Sequence, residues 1–210
     1  MPPLFDIKAQ ARSQLRPMVE KLARRGVTPV QLSWTVLGLS AFVGTLIGLL
    51  PSVLPQSNRL LLVLPAALLL RLGLEAAADM LADDYSPRTR RGQLLRDVGD
   101  ALGDVMLLLP LALIPGVPAA LVVTLVALGL CTEVAGLAGL GIGASRRRDG
   151  PMNRTDRTIV FGLAGLILAL DTGSGPWLPW LLLPASLMAL ITIGNRIRGA
   201  LAETAQQASS

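Results

Sequence analysis

The chain has 210 residues, of which 52% are hydrophobic and only 16% are charged, and its formal net charge is +5. A water-soluble domain is nearer a quarter charged, whereas this chain contains several apolar runs of about 20 residues, each long enough to cross about 30 Å of hydrocarbon. The composition therefore excludes a soluble globular domain and predicts a polytopic membrane protein. In such a protein the positive charge is explained by basic cytoplasmic loops, so we expect no nucleic-acid partner.

The apolar runs predict an all-α membrane protein with six transmembrane helices, preceded by an amphipathic N-terminal interfacial helix. Residues 1–29 mix apolar side chains with lysines and arginines, so this segment should lie on the anionic inner leaflet. Thr28 fits an N-cap, and Pro29 fits the first position of the next helix. The spans are predicted at residues 30–50, 60–83, 93–114, 117–142, 156–171 and 177–197. They form one membrane domain at 30–198, followed by a polar C-terminal tail at 199–210.

Basic residues cluster in alternate loops and so predict the orientation of the chain. They occur in the N-terminal segment, after the second span, after the fourth span and after the sixth span. Those in the last three places are Arg88, Arg90, Arg91, Arg146, Arg147, Arg148, Arg154, Arg157, Arg196 and Arg198. By the positive-inside rule both termini should be cytoplasmic, in a multi-pass protein of a bacterial inner membrane that contacts anionic lipids.

Four acidic residues interrupt the apolar sequence of the second and third spans. Glu75, Asp79, Asp100 and Asp104 lie where a lone carboxylate costs several kcal/mol unless it is paired, protonated or bound to a cation. In a hairpin that turns at 84–91, Glu75 is level with Asp100. The two acids of each helix are about 40° apart around its axis. The acidic faces should therefore meet near the cytoplasmic end of the bundle.

Two explanations for these acids remain open. The carboxylates could hold Mg²⁺ or Mn²⁺, which would bind a diphosphate and assist displacement at phosphorus. Alternatively, ion pairs could neutralise them, because Asp79 is level with Arg96 and Arg71 is level with Asp104. The second explanation leaves the other two acids facing each other, with a shared proton.

Further polar residues lie in the fourth and sixth spans. Glu133 is an isolated intramembrane acid, which by default suggests a functional site. A pair between Glu133 and Arg196 is the alternative, and a proton path through a small transporter is a weaker one. Asn195 and Arg196 could face the same cavity, but we expect Arg196 to snorkel to the interface. Small residues suit close helix contact at Gly38, Ser40, Gly44, Gly48, Gly129, Gly136 and Gly139.

The acidic hairpin resembles the signature of the CDP-alcohol phosphatidyltransferases, DxxDGxxARx(8)GxxxDxxxD. The chain keeps its frame, with Ala82, eight residues between Asp83 and Gly92, and Asp100 eight residues after Gly92. Residues 26–29 before the first span and the basic loop at 148–157 also resemble that family.

The resemblance implies a function in phospholipid biosynthesis. Family members transfer a phosphatidyl group from a CDP-linked donor, such as CDP-diacylglycerol, to a hydroxyl acceptor and release CMP. They use Mg²⁺ or Mn²⁺ and commonly form homodimers. Carried onto this chain, the resemblance makes Asp100 the catalytic base. The metal ligands would be Glu75, Asp79, Asp83, Asp100 and Asp104, and the phosphates of the donor would lie near Gly92, Arg146, Arg147, Arg148, Arg154 and Arg157. For the basic loop, membrane topology and lipid headgroup contact are the alternative explanation.

The chain also departs from the signature. The first, second and third aspartates of the signature are replaced by Glu75, Ala78 and Arg96. Its first glycine is replaced by Asp79, and its arginine by Asp83. A guanidinium group cannot ligate a metal ion and repels one. The second hypothesis is therefore a catalytically impaired or inactive family member that acts as a membrane partner or lipid-binding subunit.

Overall fold

A computed structural model describes residues 4–53, 58–85, 89–170 and 175–209, and every regular element in these ranges is helical. The predicted all-α class is thus confirmed. The helices are α1 (Leu4–Arg24), α2 (Pro29–Val53), α3 (Val63–Asp84), α4 (Arg90–Leu108), α5 (Ala119–Gly141), α6 (Arg154–Leu170) and α7 (Leu178–Ser209). Short 3₁₀ segments, Asn58–Leu62 and Leu109–Leu113, precede α3 and follow α4.

Within these ranges, four helical stretches are long and apolar enough to cross a membrane. They are Pro29–Leu49, Arg59–Asp84, Ala119–Gly141 and Leu178–Ala208, which match the predicted first, second, fourth and sixth spans. The other two predicted spans coincide with α4 and α6. Helix α4 carries the acids and several arginines, and α6 has only 17 residues, so neither meets the same criteria.

Two helices end at other residues than the predicted spans do. The third span is not one helix to residue 114, because α4 ends at Leu108 and a 3₁₀ segment follows. Pro110 has no backbone N–H, and its ring clashes with the carbonyl four residues earlier, so the α-helix cannot continue through it. The first predicted span, 30–50, agrees with the apolar stretch Pro29–Leu49, and α2 itself continues past Pro51 to Val53. A proline in the last turn of a helix removes only one hydrogen bond.

Some other predictions fall partly outside the described ranges. The hairpin turn at 84–91 includes residues 86–88, and with them Arg88, which lie outside the described part of the chain. The last residue of the predicted fifth span, Asp171, lies outside it as well. The polar tail at 199–210 is helical as far as Ser209.

The core forms where α2 packs on α3 and α4, and where α5 pairs with α7. Its fully buried side chains include Ile47, Leu64 and Phe161. At Gly44 an added Cβ would overlap the carbonyl of Met106, so α2 and α4 meet backbone to backbone. The close helix contact predicted at Gly44 is therefore present, and it holds α4 in place beside α2.

Helix α1 packs on the C-terminal half of α3. Val19 belongs to a small apolar cluster that also contains Ala78 and Leu81. On the same side, Arg12 donates a hydrogen bond of 3.0 Å to Asp83. Helix α1 thus covers the face of α3 that carries two of the residues departing from the signature.

Candidate functional site

A polar cavity of about 350 Å³ lies between the acidic faces of α3 and α4, the loop before α6 and the polar side chains of α5 and α7. Six carboxylates line it: Glu75, Asp79, Asp97, Asp100, Asp104 and Glu133. Five guanidinium groups line it as well: Arg96, Arg146, Arg148, Arg154 and Arg196. The volume is within the usual range for sites that bind small molecules. Because both signs of charge are present in similar number, the cavity is zwitterionic and not acidic.

Arg71 joins the two acidic helices below this cavity. Its Nη2 donates to Asp104 Oδ1 at 2.5 Å and to the Asp100 carbonyl at 3.0 Å. Its Nε donates to Glu75 Oε1 at 2.8 Å, one helical turn away. The Arg71 side chain is only 5% exposed, so these contacts compensate a buried charge. The predicted pair between Arg71 and Asp104 is thus confirmed.

The second predicted pair is also present, nearer the loop that joins α3 to α4. Arg96 Nη1 donates to Asp79 Oδ1 at 2.5 Å. The Arg96 side chain is 19% exposed, whereas that of Asp79 is 58% exposed. This pair is therefore accessible to water. It joins Asp79, which stands where the signature has its first glycine, to Arg96, which stands where the signature has its third aspartate.

Arg154, the first residue of α6, connects three acids at once. Its Nη1 lies 2.8 Å from Asp100 Oδ2, and its Nη2 lies 2.9 Å from Glu75 Oε1 and 3.2 Å from Asp104 Oδ1. The same Nη2 donates to the Asp100 carbonyl at 3.0 Å. Glu75 and Asp100 are therefore held by one guanidinium group, and a shared proton between them is not needed. A guanidinium group is always charged in proteins, so the three carboxylates here compensate a permanent cation.

Glu133 lies deeper and is surrounded by three guanidinium groups. Its carboxylate oxygens lie 3.5 Å from Arg157, 3.9 Å from Arg146 and 3.9 Å from Arg196. The predicted pair between Glu133 and Arg196 is confirmed. Snorkelling of Arg196 is wrong, because its side chain is buried and donates to the carbonyl of Thr132. The acid and the backbone carbonyl compensate the guanidinium within the bundle, so it has no need to reach the interface.

Glycines on α5 make room for the buried arginines. A Cβ on Gly129 would lie 2.8 Å from Arg157 Nε, and one on Gly136 would lie 3.0 Å from Arg196 Nη1. The sequence predicts close helix contact at both positions. They also accommodate guanidinium groups that cross between helices.

The structure brings together some of the predicted site residues and separates others. Glu75, Asp79, Asp100, Asp104, Arg146, Arg148 and Arg154 line the cavity, whereas Asp83, Gly92, Arg147 and Arg157 do not. Asn195 is exposed and is also absent from the lining. The predicted metal-ligand set and the predicted phosphate-contact set are therefore each only partly assembled.

Each of the separated residues has a different local role. Asp83 pairs with Arg12 on the outer side of α3, and Arg157 is buried beneath the cavity. The backbone N–H of Gly92 donates to the Oγ1 of Thr89, the N-cap of α4, at 3.1 Å. Arg147 pairs with Asp149 at 2.9 Å and with Glu203 of α7 at 3.0 Å.

Sequence reasoning missed Asp97, which accepts hydrogen bonds of 2.7 and 2.9 Å from Arg146. A signal was available, because Asp97, Asp100 and Asp104 have the spacing i, i+3, i+7 that places side chains on one face of a helix. No comparable signal marks Arg154 as their partner. It follows Asp104 by 50 residues and reaches it only through the packing of α6.

The described residues do not fit Mg²⁺ or Mn²⁺. No group of three or more acidic, cysteine or histidine side chains in the described ranges is placed to hold a metal ion. Glu75, Asp100 and Asp104 instead contact Arg154, which has only donor groups and cannot coordinate a metal. A divalent ion would have to displace this guanidinium from three carboxylates, and the signature's second aspartate is Ala78.

Comparisons with known proteins agree with this architecture. No protein-family model matches the chain. The chain is 34% identical over 203 residues to the inner membrane protein YnbA of Escherichia coli strain K12, a match that covers 97% of the chain and 98% of YnbA.

Its fold is similar to that of the phosphatidylinositol phosphate synthase PgsA1 of Mycobacterium tuberculosis. PgsA1 was crystallised in complex with manganese and citrate, and its structure is also known with CDP-DAG bound. Each comparison gives a TM-score of 0.72 at 16% identity and covers 88% of this chain, with 88% and 92% of the respective PgsA1 chains. At this level of identity the likeness establishes the fold alone.

Proposed function

This chain belongs to the family of the inner membrane protein YnbA and has the CDP-alcohol phosphatidyltransferase fold, and from this we propose that its polar cavity binds a CDP-linked lipid. The fold expected from the sequence resemblance is confirmed. In the proposal the chain is a multi-pass protein of a bacterial inner membrane. Its ligand is a donor lipid such as CDP-diacylglycerol, the lipid bound to PgsA1.

The proposed topology has six spans, α2 to α7, with both termini cytoplasmic and α1 on the anionic inner leaflet. Helix α4 has 19 residues and is extended by the five residues of Leu109–Leu113, which gives it the length to cross. Helix α6 packs against Asn58–Leu62, the segment that precedes α3. The homodimer implied by the resemblance is part of the same proposal.

The observation that carries the proposal is an arginine available for phosphate at the wall of the cavity. Arg148 lines the cavity, and within the described ranges it has neither an ion pair nor a side-chain hydrogen bond. A diphosphate could therefore bind Arg148 without breaking an existing pair, and a guanidinium group suits phosphate geometry. Arg146 belongs to the same loop and also lines the cavity, so the predicted phosphate contact is proposed for Arg146 and Arg148.

The ion pairs favour binding without turnover. The acids that would hold divalent ions contact Arg71, Arg96 and Arg154, and Asp100, the base implied by the resemblance, contacts Arg154 at 2.8 Å. We conclude that the geometry supports best a catalytically impaired family member that binds a CDP-linked lipid, as a membrane partner or lipid-binding subunit.

Phosphatidyl transfer is the second candidate function. Asp100 favours it, because this acid keeps the signature's last position and lines the cavity. The reaction would move the phosphatidyl group of CDP-diacylglycerol to a hydroxyl acceptor and release CMP. Asp100 would accept the proton of the attacking hydroxyl, after its contact with Arg154 had opened.

The two functions are separated by binding and turnover assays on the purified protein in nanodiscs. We expect CDP-diacylglycerol, but not phosphatidic acid, to raise the unfolding temperature, and no CMP to be released with a panel of alcohols. Arg148→Gln should weaken binding by about tenfold, since it removes a charge-assisted contact. Arg198→Gln, an exposed arginine of α7 outside the cavity, is the matched control.

Other results of these assays would contradict the binding proposal or establish phosphatidyl transfer. Equal stabilisation by phosphatidic acid, or none by CDP-diacylglycerol, contradicts the binding proposal. Release of CMP in wild type that disappears in Asp100→Asn establishes the second candidate instead.

A further inference from the structure

We propose that the guanidinium group of Arg154 takes the place of a divalent cation in the cavity, so that the protein neither binds Mn²⁺ or Mg²⁺ there nor needs either ion for its ligand. The part of this inference that concerns the ligand rests on the proposed function. The part that concerns metal exclusion rests on the charge arrangement alone.

The first support is the convergence of acids on one fixed cation. Arg154 contacts Glu75 from α3 and both Asp100 and Asp104 from α4, with N···O distances of 2.8 to 3.2 Å. Carboxylates from two helices that point at one position are the arrangement that holds a divalent ion. Here the position is taken by a side chain that begins α6 and is anchored by that helix.

The second support is the set of guanidinium groups around the same acids. Asp104 also contacts Arg71 at 2.5 Å and Arg157 at 3.4 Å, and Asp79 contacts Arg96 at 2.5 Å. A divalent ion placed among these carboxylates would lie close to several positive charges, which repel it. Displacing Arg154 would leave its charge without a partner in a partly buried site.

The third support is that Arg154 and Arg148 differ in their partners. The Nε, Nη1 and Nη2 atoms of Arg154 all contact acids or the Asp100 carbonyl, whereas Arg148 has no such partner in the described ranges. Arg154 therefore supplies the counter-charge of the acids, and Arg148 remains for the phosphates. A ligand diphosphate would meet protein-bound positive charge in a cavity whose acids are already neutralised.

The first arm of the test measures metal alone. We expect electron paramagnetic resonance to detect no Mn²⁺ bound to wild type in nanodiscs, and neither EDTA nor Mn²⁺ to change its unfolding temperature. Binding of stoichiometric Mn²⁺ by wild type, reversed by Asp100→Asn, overturns the proposal. Arg154→Gln removes the one cation that contacts all three acids, so its affinity for Mn²⁺ should rise by at least about tenfold over wild type, the effect of one charge-assisted contact.

Variants of Arg154 show whether this residue is what excludes the metal ion. If Arg154→Gln folds and still binds no Mn²⁺, Arg154 is not what excludes the metal and the proposal fails. If it folds only in the presence of Mn²⁺, the ion has replaced the guanidinium and the proposal is supported. Arg154→Lys retains the charge and should exclude Mn²⁺ as wild type does, and binding of Mn²⁺ by this variant also overturns the proposal. Arg198→Gln should behave as wild type throughout.

The second arm measures the affinity for CDP-diacylglycerol in EDTA and in Mn²⁺. We expect equal affinity in the two buffers, and a loss of about tenfold or more in EDTA overturns the ligand part of the inference. No binding in either buffer contradicts the proposed function, whereas metal exclusion is still decided by the first arm.

Discussion

Arg71 and Asp104 lie on neighbouring helices and are joined by a hydrogen bond of 2.5 Å, with side chains that are only 5% and 15% exposed. The pair is one of several contacts that Arg71 makes, since the same group also binds Glu75 and the Asp100 carbonyl. Removing this guanidinium would therefore leave Arg154 as the cation that the acids of both helices share. The consequences can be measured as a loss of stability.

Arg71→Leu is expected to lower the free energy of unfolding by about 1.5–3 kcal/mol, because it removes charge-assisted hydrogen bonds to Glu75 and Asp104, whose contacts with Arg154 remain. Reversible unfolding in mixed micelles measures the loss. Arg12→Gln breaks the exposed pair with Asp83 and serves as the control, with an expected loss of about 0–1 kcal/mol. Equal losses in the two variants would contradict the buried role of Arg71.

Arg96→Asp tests whether a single substitution can restore the signature. Asp79 is 58% exposed, so the loss of this pair should cost only about 0–1 kcal/mol. Mn²⁺ should not stabilise the variant, because Arg154 still holds Glu75 and Asp100. Thermal unfolding with and without Mn²⁺ measures both effects, with Arg96→Gln as the uncharged control. A rise in unfolding temperature with Mn²⁺ in the aspartate variant alone would show that the other acids are free to ligate.

The relationships within the helical hairpin can be predicted from sequence. Helical geometry and a short turn set which residues are level, and that is enough to pair Arg71 with Asp104 and Arg96 with Asp79. The site as a whole cannot be predicted in this way. Arg154 meets the acids only because α6 packs beside α3, a contact that no local pattern indicates.

The buried position of Arg196 could not be predicted from sequence either. An arginine near the end of a span normally extends to the interface. Arg196 stays inside because Glu133, one helix away, and the carbonyl of Thr132 receive it. The space that it needs comes from Gly136, whose role is visible only once α5 and α7 are packed together.

Gly129→Ala should be costly, because a Cβ there would lie 2.8 Å from Arg157 Nε. Overpacking of this kind costs about 1–3 kcal/mol. Gly38→Ala is the matched control on α2, since an added Cβ meets no atom within 4 Å there. That variant should be neutral or gain about 0.5–1 kcal/mol from the helix propensity of alanine. Unfolding temperatures in the same detergent compare the two, and a stable Gly129→Ala variant would show that Arg157 can move aside.

Glu203→Ala should loosen the basic loop before α6. Glu203 accepts hydrogen bonds from the backbone N–H and hydroxyl of Ser145, at 2.9 and 2.8 Å, and from Arg147 at 3.0 Å. Without these contacts the loop opens more often, so trypsin should cleave after Arg146–Arg148 several times faster. Arg198→Gln, on the exposed face of α7, should leave the cleavage rate of this loop unchanged. Unchanged cleavage in Glu203→Ala would show that the contacts with α7 do not restrain the loop.

Pro110 has a consequence for α2 as well as for α4. Because proline has no N–H, the Met106 carbonyl loses the donor that an α-helix normally supplies four residues later. That carbonyl lies against the backbone of Gly44, where a Cα hydrogen is the nearest weak donor. The proline and the glycine therefore belong to one contact: the carbonyl that lacks its donor lies where the neighbouring helix has no side chain, and a Cβ at position 44 would force α2 and α4 apart.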